Sequence, residues 1–195
     1  LLVTVAMPRY SFDLRSMAIA GQMIGYFEDQ FSFYKALTNE IKEQLNVRLY
    51  HHDYDWSQKQ RWIDHFPAVK FDPNKKMDKG VEQSRLVVAT YAATTYNQTL
   101  ASNIPTIIYW NPEHWELSVE SDLFFEEMKR VGIFHTTPQS AAQQVVKIWD
   151  DIDKWWYSPD LQSVREKYCR AFAHKPKDLV KKIKRALVEE AHIYD

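Results

Sequence analysis

The stretch that decides the fold reads Ser84-Arg-Leu-Val-Val-Ala-Thr-Tyr-Ala-Ala-Thr-Thr-Tyr-Asn-Gln-Thr-Leu-Ala-Ser-Asn-Ile-Pro-Thr-Ile-Ile-Tyr-Trp110. An apolar run at residues 86–89 gives way to about three turns of hydroxyl-rich sequence, and a second apolar run follows at residues 106–110. Short apolar runs bounded by turn signals are typical of buried strands. The stretch therefore predicts a strand, a helix and a second strand parallel to the first.

The same alternation continues on both sides of this unit. Short apolar runs predict four further strands, at residues 1–6, 47–50, 68–71 and 133–135. Helical periodicity and helix-start signals predict helices at residues 27–45, 56–66, 118–130, 137–155, 159–172 and 176–191. This alternation predicts an α/β fold, a Rossmann-like doubly wound parallel sheet of about six strands. We expect one such domain over residues 1–195, with a helical extension from about residue 159.

Local patterns make several of these helix predictions specific. Thr137-Pro138 and Ser158-Pro159 each place a capping residue before a proline, and Gly132 is suited to end the helix at 118–130. Apolar residues that recur every three or four positions predict the buried stripes: Val119, Leu123 and Met128 on the helix at 118–130, and Phe27, Phe31, Tyr34, Leu37, Ile41 and Leu45 on the helix at 27–45.

The composition bounds the class of protein. The formal net charge is −1, which gives no general attraction to nucleic acid. The one cysteine, Cys169, cannot form a disulfide within the chain, and a reducing, cytoplasmic location is expected. No apolar run approaches the roughly 20 residues of a membrane span. The chain begins at Leu1 inside a predicted core strand, so we expect it to be part of a longer protein.

Polar side chains follow the predicted strands. In a parallel sheet all strands end at one edge, which is where ligands bind in open α/β sheets. Hydroxyls at a helix N-terminus together with arginine suit a phosphate, and nearby carboxylates and imidazoles suit a nucleotide with an attached sugar. The candidate phosphate-binding residues are Arg9, Tyr10, Ser11, Thr90, Tyr91, Thr94, Thr95 and Asn97. The candidate nucleotide or sugar contacts are Asp53, Tyr54, Asn111, Glu113 and His114.

Each candidate has a structural alternative. Thr94 and Thr95 could cap a helix, and Arg9 could pair with a surface carboxylate. Glu113 and His114 could stabilise their loop, contact a ribose or act as acid and base. His51 and His52 precede Asp53, but adjacent side chains of an extended segment point to opposite faces, so no metal site is expected there.

Three common signatures are missing from the sequence. It contains no G-x-G-x-x-G, no G-x-x-x-x-G-K-[ST] and no G-x-S-x-G motif, which counts against dinucleotide binding, a P-loop and a serine hydrolase. With four glycines in the chain, phosphate binding would depend on helix N-termini, hydroxyls and arginine.

Several long motifs resemble a known family. They are the stretch quoted above, Pro8-Arg-Tyr-Ser11, Val47-Arg-Leu-Tyr-His-His-Asp-Tyr-Asp-Trp56, Asn111-Pro-Glu-His-Trp-Glu-Leu117, Arg130-Val-Gly-Ile-Phe-His-Thr-Thr-Pro138 and Ile148-Trp-Asp-Asp-Ile-Asp-Lys-Trp-Trp156. Together they resemble the C-terminal half of a bacterial transferase family associated with O-antigen and other surface-carbohydrate gene clusters. The resemblance covers nearly the whole chain.

The resemblance implies a GT-B type glycosyltransferase, in which two Rossmann-like domains face each other and the C-terminal one holds the nucleotide-sugar donor. By this similarity Thr94 and Thr95 would hold the donor phosphate, with Arg9 and Ser11 approaching from the first loop. Ala92 stands where the family pattern leads us to expect a polar residue such as Asn, so one donor contact would be lost or supplied by a neighbour. The donor would be linked to UDP or CMP, with no tightly bound cofactor.

The resemblance also limits what activity is expected of this chain alone. The acceptor site and the catalytic base would lie largely in an N-terminal domain that this chain lacks, so no catalytic residue is assigned and the chain alone is expected to be inactive. The enzyme would be cytoplasmic, with peripheral association with the inner membrane left open.

Two other functions are compatible with the sequence. A nucleotide-sugar epimerase can share the two-domain architecture. A non-catalytic binding or assembly module would instead use the aromatic helices and the last helix as contact surfaces. Residues 175–185 of that helix contain six Lys or Arg, with Leu179, Val180, Ile183 and Leu187 on the other face, and the simplest interpretation is the solvated face of an amphipathic helix.

Overall fold

A six-stranded, all-parallel sheet forms the centre of the molecule. The computed structural model describes residues 1–10, 20–173 and 178–191, with side chains of the last helix through residue 189. The strands are β1 (Leu2–Val3), β2 (Asn46–Arg48), β3 (Lys70–Phe71), β4 (Val87–Ala89), β5 (Thr106–Tyr109) and β6 (Phe134–His135). Their order is β3-β2-β1-β4-β5-β6, so the winding reverses between β1 and β4. This confirms the predicted Rossmann-like α/β fold, with the reversal where such folds bind ligands.

The described part of the chain contains ten α-helices. They are α1 (Met23–Ala36), α2 (Asn39–Gln44), α3 (Gln58–His65), α4 (Met77–Glu82), α5 (Thr94–Ala101), α6 (Val119–Arg130), α7 (Pro138–Ile148), α8 (Ile152–Trp156), α9 (Pro159–Phe172) and α10 (Leu179–Ala191). Short 3₁₀ segments occur at Ala20–Gln22 and Trp149–Asp151.

Two consecutive aromatic residues show how the layers are arranged. Tyr109 stacks on Phe33 of α1 with ring centroids 5.1 Å apart, and its hydroxyl donates to Gln30 Oε1 at 2.6 Å. The ring of Trp110 packs against Phe125 of α6 at 5.3 Å. Because successive side chains of a strand point to opposite faces, α1 and α6 cover opposite sides of the sheet. Helix α7 lies beside α1, and α9 packs on α5 and α6.

The prediction of one helix over residues 27–45 is wrong. Leu37 is extended, with ψ of 153°, and Thr38 begins α2 by accepting a hydrogen bond from the Ile41 N–H at 3.4 Å. All six residues of the predicted stripe are nevertheless buried. The apolar period continues across the break, so periodicity alone does not reveal it.

The stripe predicted for α6 is also wrong in part. Val119 is 89% exposed and Leu123 is 73% exposed. The buried residues of this helix are Ser121, Phe125 and Met128, so only Met128 was assigned correctly. Phe125 packs edge-on against Phe134 and Tyr168, and these aromatic contacts decide which side of α6 faces inward.

The predicted helix ends are confirmed at several positions. The Thr137 hydroxyl accepts from the Ser140 N–H at 3.2 Å, and Pro138 is the first residue of α7. Helix α9 has the predicted bounds. Gly132 has φ of +79° and donates its N–H to Lys129 O at 3.1 Å, a conformation that favours glycine after a helix.

The last helix differs from the others in its surroundings. The basic residues of α10 are solvated as predicted, but Leu179, Val180, Ile183 and Leu187 on its apolar side are exposed as well. No helix in the described ranges has the length and apolar character needed to cross a bilayer.

Candidate functional site at the carboxyl edge of the sheet

The loops that follow β1 and β4 meet where the order of the strands reverses. Thr90 directly follows β4 and is fully buried. Its hydroxyl donates to Val3 O of β1 at 2.9 Å and lies 2.6 Å from the hydroxyl of Tyr26 on α1. The Val5 N–H donates to the same Tyr26 oxygen at 2.9 Å.

The donor and the acceptor of each of these hydrogen bonds can be assigned. A hydroxyl carries one proton, and the Thr90 proton is used on Val3 O, so Tyr26 donates to Thr90 and accepts from Val5. Burial raises the pKa of Tyr26 above its usual value, which keeps the phenol protonated as this donor. Thr90, predicted to bind phosphate, is therefore already bonded to the protein and joins three elements at the reversal point.

In the part of the chain that the structure describes, no side chain caps the N-terminus of α5. The residue at the capping position is Ala93, which carries no oxygen on its side chain. Neither Thr94 nor Thr95 acts as the cap, which rules out the helix-capping alternative for this pair. The Thr95 hydroxyl is buried and hydrogen-bonded to Tyr91 Oη at 2.8 Å, whereas Thr94 is exposed. An uncapped N-terminus of an eight-residue helix offers backbone N–H groups and a positive dipole end to an anion.

Tyr91 and Asn97 take different positions around α5. Tyr91 is half-buried, and burial raises the pKa of its hydroxyl. Asn97 Oδ1 accepts from the Tyr168 hydroxyl at 2.8 Å, so its side chain is bonded to α9. Asn97 thereby helps to fix α9 against α5.

The loop after β1 is attached to the loop after β2. Trp56 Nε1 donates to Met7 O at 2.7 Å, and Arg9 Nη1 donates to Asp55 O at 3.3 Å. The Arg9 guanidinium also lies 5.4 Å from the centre of the Trp56 ring, a cation–π arrangement. Arg9 and Tyr10 remain exposed, while Ser11 lies outside the described residues.

Asp53 caps a helix. Its two carboxylate oxygens accept from the Ser57 and Gln58 N–H groups, each at 2.7 Å, at the start of α3. Burial acts to raise the pKa of Asp53, but these backbone donors outweigh it and hold the pKa below its usual value. The predicted nucleotide contact is thus bonded to its own loop.

The loop between Asp53 and α3 has an unusual backbone. Tyr54, Asp55 and Ser57 have φ of 51°, 62° and 52°, in the left-handed region. Tyr54 is half-buried, and the centroid of its ring lies 4.4 Å from that of His52 and 6.0 Å from that of Tyr50. Among the residues that the structure describes, no three His, Cys, Asp or Glu side chains are grouped as metal ligands.

The loop after β5 leads back to α1. Asn111 Oδ1 accepts from the Glu113 N–H at 3.0 Å and Asn111 O from the His114 N–H at 2.9 Å, a turn that leaves Glu113 exposed. The Trp115 ring packs edge-on against Tyr26 at 5.7 Å. His114 Nδ1 is buried and has no hydrogen-bond partner among the described residues. Through Trp115, the loop that carries His114 packs against Tyr26 of the Thr90 network.

Asp29 is a polar neighbour of His114 that sequence reasoning missed. His114 Cε1 lies 3.8 Å from the position that a Cβ on Gly25 would take, and Asp29 is one helical turn further along the same face of α1. Burial raises the pKa of the half-buried Asp29 carboxyl, while His114 acts to lower it. Asp29 stands between Glu28 and Gln30 in an ordinary amphipathic pattern, so nothing local in the sequence marks it or Tyr26.

Comparison with known proteins gives one match. No curated protein and no solved structure matches the chain. The model of the LIC12162 family transferases matches residues 1–187, which include all six strands and every candidate site residue. The chain therefore belongs to the LIC12162 family of transferases.

Proposed function

We propose that this chain is the donor-binding part of a glycosyltransferase of the GT-B type that acts in the biosynthesis of a surface polysaccharide such as O-antigen or capsule. The donor is a nucleotide sugar, linked to UDP or CMP. Membership of a transferase family and the Rossmann-like sheet support the proposal. It includes the cytoplasmic location expected from the single cysteine.

The observation that carries the proposal is the uncapped N-terminus of α5 beside the reversal point of the sheet. The diphosphate or phosphate of the donor would accept hydrogen bonds from the first N–H groups of α5 and from the exposed Thr94 hydroxyl. Ala93 provides no side-chain acceptor that would compete for these donors, and none is seen among the described residues. The missing polar side chain at Ala92 fits an interaction made chiefly by the backbone.

Arg9 would supply the compensating charge. Its loop is fixed to the next one through Trp56 and Asp55, so the guanidinium is held near the carboxyl edge of the sheet. Negative charge increases on the nucleotide phosphate as the sugar leaves, and a fixed cation together with a helix N-terminus stabilises that charge more than the starting state.

The remaining candidates divide into two groups. Tyr10, Tyr91, Tyr54, Asn111, Glu113 and His114 would contact the nucleotide or the sugar, and Ser11 would join Arg9. Thr90, Thr95, Asn97 and Asp53 would position the site through the bonds described above. Among these residues, His114 has a buried Nδ1 without a partner in the described part of the chain, so one polar atom at this edge of the sheet is left unused by the protein.

A thermal-shift titration with CMP, CDP, UDP, GDP and ADP tests the proposal. A ligand that binds only the folded state raises the melting temperature, so one cytidine or uridine nucleotide should give a saturable rise. Thr94→Ala should reduce the affinity for that nucleotide by about tenfold or more, as expected for one hydrogen bond to a charged group.

Gln98→Ala is the matched control, because Gln98 is exposed on the same helix one turn further along. Equal affinity in the Thr94 and Gln98 variants would refute the assignment of this helix N-terminus. Failure of every nucleotide to bind at millimolar concentration would refute donor binding by this chain.

A further inference from the structure

Helix α10 has an apolar side that nothing in the described structure covers. Every side chain from residue 178 to residue 189 is exposed. Val180 is 79% exposed and Leu187 is 67% exposed, values normal for charged surface residues and unusual for a set of aliphatic residues on one helix. The sheet and helices α1 to α9 contribute no cover for this surface.

The charges on α10 are arranged around that apolar side. Leu179, Ile183 and Leu187 are spaced by four residues and form one stripe, which Val180 widens. At 100° per residue, Lys182 and Lys184 fall on the two flanks of the stripe. Lys181 and Arg185 lie on the opposite face. The helix is thus amphipathic, with Lys184 at one border of its apolar side and Lys182 at the other, where Asp178 lies 3.7 Å from Lys182 and Glu189 adds a second carboxylate.

The positive charge is local to this part of the chain. Residues 175–190 contain six Lys or Arg and three acidic residues, Asp178, Glu189 and Glu190, whereas the whole chain has a formal charge of −1. This segment is therefore net positive while the remainder of the chain is net negative, and an attraction to anionic groups is expected here.

We propose that α10 lies in the surface of a bilayer that contains anionic lipid. Leu179, Ile183 and Leu187 would be buried at the boundary between headgroups and acyl chains, while the lysines on the flanks remain at headgroup level. An anionic bilayer presents apolar and negative groups along both borders of such a helix, which matches this arrangement.

A second copy of the chain fits the arrangement less well. Pairing two α10 stripes would bring together two segments of net positive charge, and like charges across an interface oppose association. A bilayer surface with anionic lipid instead offers both an apolar layer for the stripe and negative charge for the lysines. This proposal does not depend on the nature of the donor.

Sedimentation of the chain with lipid vesicles tests the proposal without nucleotide or acceptor. Vesicles of phosphatidylcholine mixed with phosphatidylglycerol should bind the chain, vesicles of phosphatidylcholine alone should bind it weakly, and added salt should release it. Replacing both Lys182 and Lys184 by Glu should lower the affinity for the anionic vesicles on the order of tenfold or more. Replacing both Ile183 and Leu187 by Ser should lower it to a similar extent.

The pair Lys75→Glu and Lys76→Glu is the matched control, because these two lysines are exposed on a loop far along the chain from α10. It makes the same change in net charge and should leave vesicle binding unchanged. All variants should keep the melting temperature of the parent chain, because α10 makes no part of the core.

Three results would overturn the proposal. One is no binding to anionic vesicles, and another is equal loss of binding in the control pair. The third is a dimer in light scattering that the Ser variant at residues 183 and 187 dissociates, since that would show a second copy covering the stripe.

Discussion

Tyr26 and Thr90, which are far apart in the sequence, share a buried hydrogen bond of 2.6 Å at the point where the winding of the sheet reverses. The bond belongs to a directed series that starts at the Val5 N–H and ends at Val3 O. It ties α1 to the ends of β1 and β4, so the geometry of the proposed donor site depends on a phenol that has no contact with the donor in the proposal.

Tyr26→Phe should destabilise the fold by about 1–3 kcal/mol, because it leaves the buried Val5 N–H without its acceptor and Thr90 without its donor. The free energy of unfolding in urea measures this. Tyr10→Phe is the control, since the Tyr10 side chain is 85% exposed and its loss should change little. Equal effects of the two changes would show that the buried series contributes nothing specific.

Gly80→Ala should also destabilise the protein, although Gly to Ala in a helix usually stabilises. A Cβ at position 80 would lie 2.5 Å from Asp72 Oδ2, which is held by a hydrogen bond from Arg48 Nη1. We expect a cost of about 1–3 kcal/mol from this overlap. Gly21→Ala, where nothing lies within 4 Å of the added carbon, should cost far less in the same urea experiment.

Asp53 should make stability depend on pH in the acid range. Its pKa in the folded state lies below the usual value, so its stabilising effect is present above about pH 4 and is lost as the pH falls through the folded pKa. Melting temperatures measured from about pH 6 to about pH 3 should fall less steeply for Asp53→Asn than for the parent chain. Parallel curves would contradict the capping role.

Asp29 should affect the pH dependence of stability in the opposite direction. Burial raises its pKa in the folded state, so ionisation disfavours folding as the pH rises above the unfolded value of about 4. Asp29→Asn should therefore raise the melting temperature at pH 7 and leave it nearly unchanged at about pH 3. An equal change in melting temperature at the two pH values would contradict a cost of ionising the buried Asp29.

Arg9→Gln should weaken binding of the nucleotide that the thermal-shift titration identifies. Loss of one charged hydrogen-bond donor to phosphate predicts roughly a tenfold rise in the dissociation constant. Arg85→Gln serves as the control, because Arg85 is exposed, precedes β4 and lies over Trp149 at the opposite edge of the sheet. Isothermal titration calorimetry of both variants gives the comparison.

The parts of the fold that were predictable from the sequence depend on local signals. The stretch around Thr94 has apolar runs of strand length on both sides, and Thr137 and Ser158 each precede a proline at a helix start. The break at Thr38 was missed because the apolar period runs through it. The inward side of α6 was misassigned because Phe125 is selected by aromatic partners from other elements.

In the candidate site too, some features could be predicted from the sequence and others depend on partners that are remote in the chain. Strand order brings the predicted residues to one edge, which topology rules could anticipate. Which of them remain free to meet a ligand could not be predicted, because Thr90 is bonded to Tyr26 and Asn97 to Tyr168, partners that are remote in the sequence. Asp29 likewise becomes notable only through its burial beside His114.

The opposite directions of Tyr109 and Trp110 also bear on how the chain avoids misfolding. If β5 paired with its neighbours one residue out of step, the phenol would be placed against Phe125 and the indole would replace it beside Phe33. The Tyr109 hydroxyl would then lose Gln30, its buried acceptor. It would instead lie on the α6 side of the sheet, near the packed rings of Phe125 and Phe134. Two adjacent aromatic residues of unlike shape and polarity thus disfavour a slipped register of β5, because the slip would cost Tyr109 its buried hydrogen bond.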